Sequence, residues 1–179
     1  MPNWCSNTLT LTHEDAGQLI RARNAFVQGN LMQEFLPCPQ ELLNEVAPNT
    51  TNPQDMAAKY GATDWYSWCV NNWGTKWDVG DKDISTDDLP IESGSITFSF
   101  DSAWSPPIAF YNHLQDLGFH VDAYYYEPGM SFCGRYLDGD DDCYEISGNA
   151  EWVQENIPED IDQMFGIAES MMEWEPEED

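Results

Sequence analysis

Basic residues are scarce in this chain. Its 179 residues include 6 Lys and Arg against 33 Asp and Glu, a formal net charge of −27. Arg135 is the last of the six, and the 44 residues after it carry 16 acids and no base. An excess this large argues against direct binding to DNA, RNA or an anionic membrane, whose phosphates would be repelled. It favours basic partners, divalent cations, or competition with a polyanion. Solubility, or adaptation to salt, would use the same charge more simply.

Other absences narrow the field further. No stretch approaches the roughly 20 apolar residues of a membrane helix. Met1-Pro2-Asn3-Trp4-Cys5 has neither a basic region nor an apolar run, so no secretory leader is expected. The five Cys, at 5, 38, 69, 133 and 143, are odd in number and form no Cys-x-x-Cys pair. Reduced thiols in a host-cell cytoplasm fit better than a disulfide framework. Gly-rich phosphate loops and the Gly-x-Ser-x-Gly elbow are missing. His13, His113 and His120 have none of the short spacings of a structural zinc site.

Aromatics are plentiful, with 8 each of Trp, Tyr and Phe. A disordered acidic chain would lack them. The length suits one domain with an extension. The charge should therefore sit on a folded surface, where like charges oppose compaction.

The pattern of residues predicts the elements in order. Asn7 to Thr12 alternates as a half-buried strand. Residues 14 to 28 form a helix with Leu19, Ile20, Arg23, Phe26 and Val27 on one stripe, and Gly29 can close it. Four prolines punctuate residues 35 to 55, a loop with at most one short helix near Gln40 to Glu45. Thr63 would cap a helix from Asp64, with Trp65, Trp68 and Cys69 on one face. Asp78 to Asp88 is acidic and turn-rich.

Ser95 to Asp101 is a strand with Ile96, Phe98 and Phe100 inward. Ser105-Pro106-Pro107 starts a helix that Gly118 ends. Strands follow at His120 to Glu127, Ser131 to Leu137 and Tyr144 to Ile146. Ile161, Met164, Phe165, Ala168 and Met172 form a final helical stripe, with Ile167 off it, and Glu175 to Asp179 a frayed tail. A strand near Lys76 to Val79 would complete the first of two strand–helix–strand halves. The expected class is α+β, a ferredoxin-like sandwich over 1–147 with an insertion at about 35–90. Residues 148–179 would be an acidic helical extension packed on it.

Four strings are more specific: Met1 to Asn7 (MPNWCSN), Phe35 to Pro39 (FLPCP), Trp65 to Asp78 (WYSWCVNNWGTKWD) and Phe100 to Pro107 (FDSAWSPP). Together they resemble the YubB-like family of phage- and plasmid-encoded proteins, over roughly residues 1 to 147. The resemblance implies a ferredoxin-like domain and a mobile-element origin. It carries no catalytic residues with it and stops short of the acidic end.

Three functions compete. In the first, the protein is no enzyme and needs no cofactor. It mimics nucleic acid and fills the basic groove of a host defence protein, of the anti-CRISPR or anti-restriction kind, or of a DNA-processing protein. DNA carries one charge per ~1.7 Å, so the net charge equals roughly 46 Å of duplex, against a body about 40 Å across. The candidate surface is Asp138, Asp140, Asp141, Asp142 and Glu145 with Glu151, Glu155, Glu159, Asp160, Asp162, Glu169 and Glu173. Asp78, Asp81, Asp83, Asp87 and Asp88 could form a second one.

In the second, the Trp-rich insertion docks on a partner through Trp65 or Trp73. Trp4, Trp68, Trp73, Trp77 and Trp104 could equally build core and rim, with Lys76 in a cation–π contact. In the third, the Asp138 to Asp142 run binds a divalent metal in an enzyme, although its spacing is not that of an EF-hand. The oligomeric state is left open, a dimer included.

Overall fold

The computed structural model describes residues 3–174. Five strands form one antiparallel sheet in the order β2-β1-β3-β4-β5. They are β1 (Trp4–Thr12), β2 (Ser95–Ala103), β3 (His120–Glu127), β4 (Phe132–Leu137) and β5 (Asp140–Glu145). The α+β class is therefore as expected.

Alternation divides the sheet into two faces. Leu9, Leu11, Phe98, Val121, Ala123 and Tyr136 point to one side, into the larger core. There they meet α1 (Ala16–Val27), α2 (Leu31–Phe35), α5 (Trp65–Asn72) and α6 (Ile108–Asp116). Tyr124, Tyr126, Cys133 and Tyr144 point the other way. They are covered by α7 (Ala150–Asn156), α8 (Glu159–Phe165) and α9 (Ile167–Trp174), which supply Val153, Ile161 and Ile167, with Ile157 from the link after α7. The acidic end is thus a packed layer with its own apolar core.

Several elements differ from the sequence expectation, each for a physical reason. No strand forms at Lys76 to Val79 among the described residues. Asp78 instead turns to α2, where its carboxylate accepts from the Met32 and Gln33 N–H groups at 2.7 and 2.8 Å. The Val79 carbonyl accepts from Leu31 N–H at 3.2 Å. The segment is bound to helices and leaves β2 as a sheet edge.

The short helix expected near Gln40 to Glu45 is present as α3 (Gln40–Leu43), while α2, just before the expected loop, and α4 (Pro53–Tyr60), which begins in its last residues, were not foreseen. Helix α4 has proline in its first turn and Gly61 at φ 73° as its stop, a legible pair of signals. Helix α2 does not: its own cap, Asn30, makes no side-chain hydrogen bond, and Asp78 does that work from far along the chain.

Helix α5 is capped by Asp64 rather than Thr63, in a reciprocal box with Ser67. Ile20, expected inward, is 43% exposed, and Ala22 and Ala25 take its place. Strand β5 starts four residues before its predicted position, because Asp138 and Gly139, at φ 45° and 101°, form a tight turn. Asp140, Asp141 and Asp142 are therefore strand rather than loop. The final stripe breaks at Gly166, φ 60°, into α8 and α9; Ile167 is fully buried, and Met164 and Met172 are exposed. The tail expected at Glu175 to Asp179 lies outside the described residues.

Gly134 fixes the packing of β4. A methyl there would strike the Tyr125 hydroxyl and the Asp142 carbonyl. The Tyr125 hydroxyl donates to Asp141 at 2.7 Å, so it has little freedom to retreat. Gly134→Ala is expected to destabilise by ~1–3 kcal/mol, the usual range for overpacking. Urea denaturation would read this, and an unchanged midpoint would contradict it.

Candidate partner-binding surface

The candidate acids divide by what each carboxylate touches. Four of them do internal work. Asp138 accepts from Val121 N–H at 2.8 Å and meets His120 Nδ1 at 3.0 Å. Asp141 accepts from the Tyr125 hydroxyl. Asp162 accepts from Ala168 N–H at 2.8 Å, tying α8 to α9. Asp160 accepts from the Tyr124 hydroxyl at 3.0 Å and from Arg135 Nη1 at 3.4 Å.

The other eight are exposed, and among the described residues only Glu159 has a side-chain partner, accepting from Gln163 Nε2 at 2.7 Å within its own helix. Asp140, Asp142 and Glu145 lie exposed on β5, the second edge of the sheet. Glu151 and Glu155 project from α7, Glu159 from α8, and Glu169 and Glu173 from α9, all exposed. Asp162, Glu169 and Glu173 border one groove of about 540 Å³. The expected second surface is weaker. Asp78 is turned inward, and burial raises its pKa above the ordinary carboxylate value. Asp88 caps the turn at Ser85, and Asp81 accepts from Asp83 N–H.

Arg135 joins strand and helix. Its guanidinium grips Asp122 with two bonds of 2.9 Å, reaches Asp160, and lies 4.8 Å over the Tyr124 ring. Asp142 stands opposite it on β5. Acids from β3 and α8 thus share one cation, with a third, on β5, in the facing register position. Burial, then the bond to Asp160, pushes the Tyr124 hydroxyl up to about 12, so it stays a donor.

Most other bases are also engaged. Arg21 pairs with Glu34 at 2.6 Å and Lys59 with Glu41 at 2.7 Å. Lys76 lies 4.5 Å from the Trp77 ring centre, 5.5 Å from Trp104 and 5.7 Å from Tyr66, the cation–π contact that its neighbours suggested.

The tryptophans split. Trp68 and Trp73 are buried, and Trp73 Nε1 donates to the Leu36 carbonyl at 2.9 Å. Trp73 is therefore no docking residue. Trp4, Trp77 and Trp104 are 40–48% exposed and form, with Tyr66, an aromatic patch beside Lys76. Sequence reasoning missed Tyr66. Its place in the exposed turn of an amphipathic helix was the available signal.

Among the described residues no three His, Cys, Asp or Glu side chains converge to hold a metal ion. No described helix is long and apolar enough to cross a membrane. The five thiols are unpaired; Cys143 is exposed and the other four are buried.

No family model matches the chain, and no curated protein matches it. A solved structure, protein api92 of the DUF1281 family from Yersinia pseudotuberculosis, is similar with a TM-score of 0.44 and 10% identity. The likeness covers 83% of this chain and 99% of that one. At that level it defines neither fold family nor function.

Two outcomes follow from the ion pairs. Asp138 raises the His120 pKa above 6.5, chiefly through their hydrogen bond, and His120 lowers that of Asp138 below 3.8. A raised histidine stabilises fully below its unfolded pKa and loses that contribution as pH rises through its folded pKa. A lowered aspartate contributes above its unfolded pKa and loses that as pH falls through its folded one. The pair is therefore strongest between the two unfolded values. NMR titration should place His120 above 6.5, and Asp138→Asn should bring it down; no change would refute the pairing. Arg135→Ala should cost about 1–2 kcal/mol, discounted because the site is about one-third exposed. Part of that loss should disappear in high salt, where the screening length is ~3 Å at 1 M. A salt-independent loss would point to packing alone.

Proposed function

We propose that this is a non-catalytic protein that mimics nucleic acid and occupies the basic groove of a host defence or DNA-processing protein. One observation carries the reading: exposed carboxylates stand on packed strand and helices, while most cations are already engaged. Charge at fixed positions is what a decoy requires, since a basic groove reads spacing as well as sign. Eight acids on β5 and α7 to α9 supply it. The partner would be a basic nucleic-acid-binding protein in the host cytoplasm, and neither nucleic acid nor membrane would bind directly.

The resemblance to YubB-like proteins supplies a mobile-element setting in which such a decoy has a use. We read the sheet as a ferredoxin-like derivative: β1, β2, α6 and β3 follow that order, the second strand is lost, and β4 and β5 are added. A second reading has its own support. The exposed patch of Trp4, Tyr66, Trp77 and Trp104 would suit a protein-docking module whose charge serves solubility.

The two separate cleanly. Changing the eight exposed acids to their amides should weaken capture of the host partner by at least about tenfold, or ~1.4 kcal/mol. Raising salt should weaken the wild type alone. If neither matters and Trp77→Ala abolishes capture, the docking reading replaces mimicry.

A further inference from the structure

The edge strand β2 borders a groove that the acidic surface does not use. In an antiparallel ladder the N–H and C=O of one residue point the same way, and the direction alternates. Both backbone groups of Ala103 bond the Thr75 hydroxyl, off the sheet. His13 N–H donates to Gly94 at the far end, which fixes the same phase. Thr97, Ser99 and Asp101 therefore present their backbone groups outward. Among the described residues none of these groups has a hydrogen-bond partner.

Such an edge invites another strand unless something blunts it. The opposite edge, β5, is blunted by Asp140, Asp141, Asp142 and Glu145. Strand β2, Ser-Ile-Thr-Phe-Ser-Phe-Asp-Ser-Ala, is nine residues long with one charge, no proline and no lysine. Beside its Ser99 to Ala103 stretch lies a groove of about 570 Å³. Trp4 and Trp77 wall one end, with ring centres 5.9 Å apart, and Phe165 of α8 walls another part. Asp81 and Asp101 carry the groove's available charge. Lys76 is not among the lining residues.

From this we infer that an extended, arginine-bearing segment of the partner adds to β2 as a further strand. Its backbone would pair with Thr97, Ser99 and Asp101. An arginine would lie against the tryptophan rings and reach Asp101, since a guanidinium both stacks and bonds a carboxylate in its plane. Charge selects this occupant, because an acidic segment would meet the groove's carboxylates and the net −27 of the chain. The inference rests on the reading of a basic partner, but uses a separate surface.

The probe is a short peptide alternating arginine and valine, offered to the whole protein. Binding should slow amide exchange at Thr97, Ser99 and Asp101 and perturb the Trp4 and Trp77 indole signals. Methylating alternate peptide nitrogens removes the donors and should weaken binding about tenfold or more, as expected for several lost backbone bonds. Lysine in place of arginine, or Trp77→Ala, should also weaken it. Equal binding of the methylated peptide, or no slowing at those amides, would overturn the proposal. So would a dimer of this chain that buries β2. Amides at the eight exposed acids should leave the exchange pattern intact while abolishing mimicry, so either idea can fail alone.

Discussion

Carboxylates outnumber cations so heavily here that backbone N–H groups must do the work of bases. Seven acids show it. Asp15 and Asp64 cap helices, and Asp78 holds three N–H groups around α2 and Val79. Asp88 closes a turn, and buried Glu127 closes another through Gly129 and Met130. Asp138 fixes the β4–β5 turn to β3, and Asp162 joins α8 to α9. A charge-assisted bond of this kind is stronger than a neutral one and consumes no cation. The fold carries its acidity because part of that acidity is built into its turns and caps.

What remains outside those bonds makes up the candidate surface. Arg135 is the exception among bases, a lone cation in the acidic half. It draws Asp122 and Asp160 together and stands opposite Asp142. Without it, β3, β5 and α8 would bring like charges close with little compensation. The residual carboxylates then face solvent on a sheet edge and three short helices. Their positions are held by Ile157, Ile161 and Ile167 packing beneath.

Local pattern made much of this legible, and long-range partners hid the rest. Strand β3 was readable to the residue because Val121, Ala123 and Tyr125 alternate against a buried face. The first four residues of strand β5 were hidden, since an exposed edge has no alternation to display. Helix α2 was hidden because its cap, Asp78, lies far along the chain. The break was signalled by Gly166 within the helical segment and by Ile167 off its stripe, yet only packing shows that Ile167 goes fully inside. Of the candidate acids, position along the chain could not tell Asp141 or Asp162, bonded internally, from Asp142 or Glu169, free. The tryptophans repeat the lesson: Trp73 and Trp77 look alike in sequence, yet one is core and the other surface.

Competition is the most direct test of the central claim. A basic host protein captured by this chain would be loaded with labelled duplex DNA and titrated with the chain. Mimicry predicts that DNA is displaced in proportion to the chain bound, with no complex containing all three. A stable ternary complex, DNA still in its groove, would contradict the account.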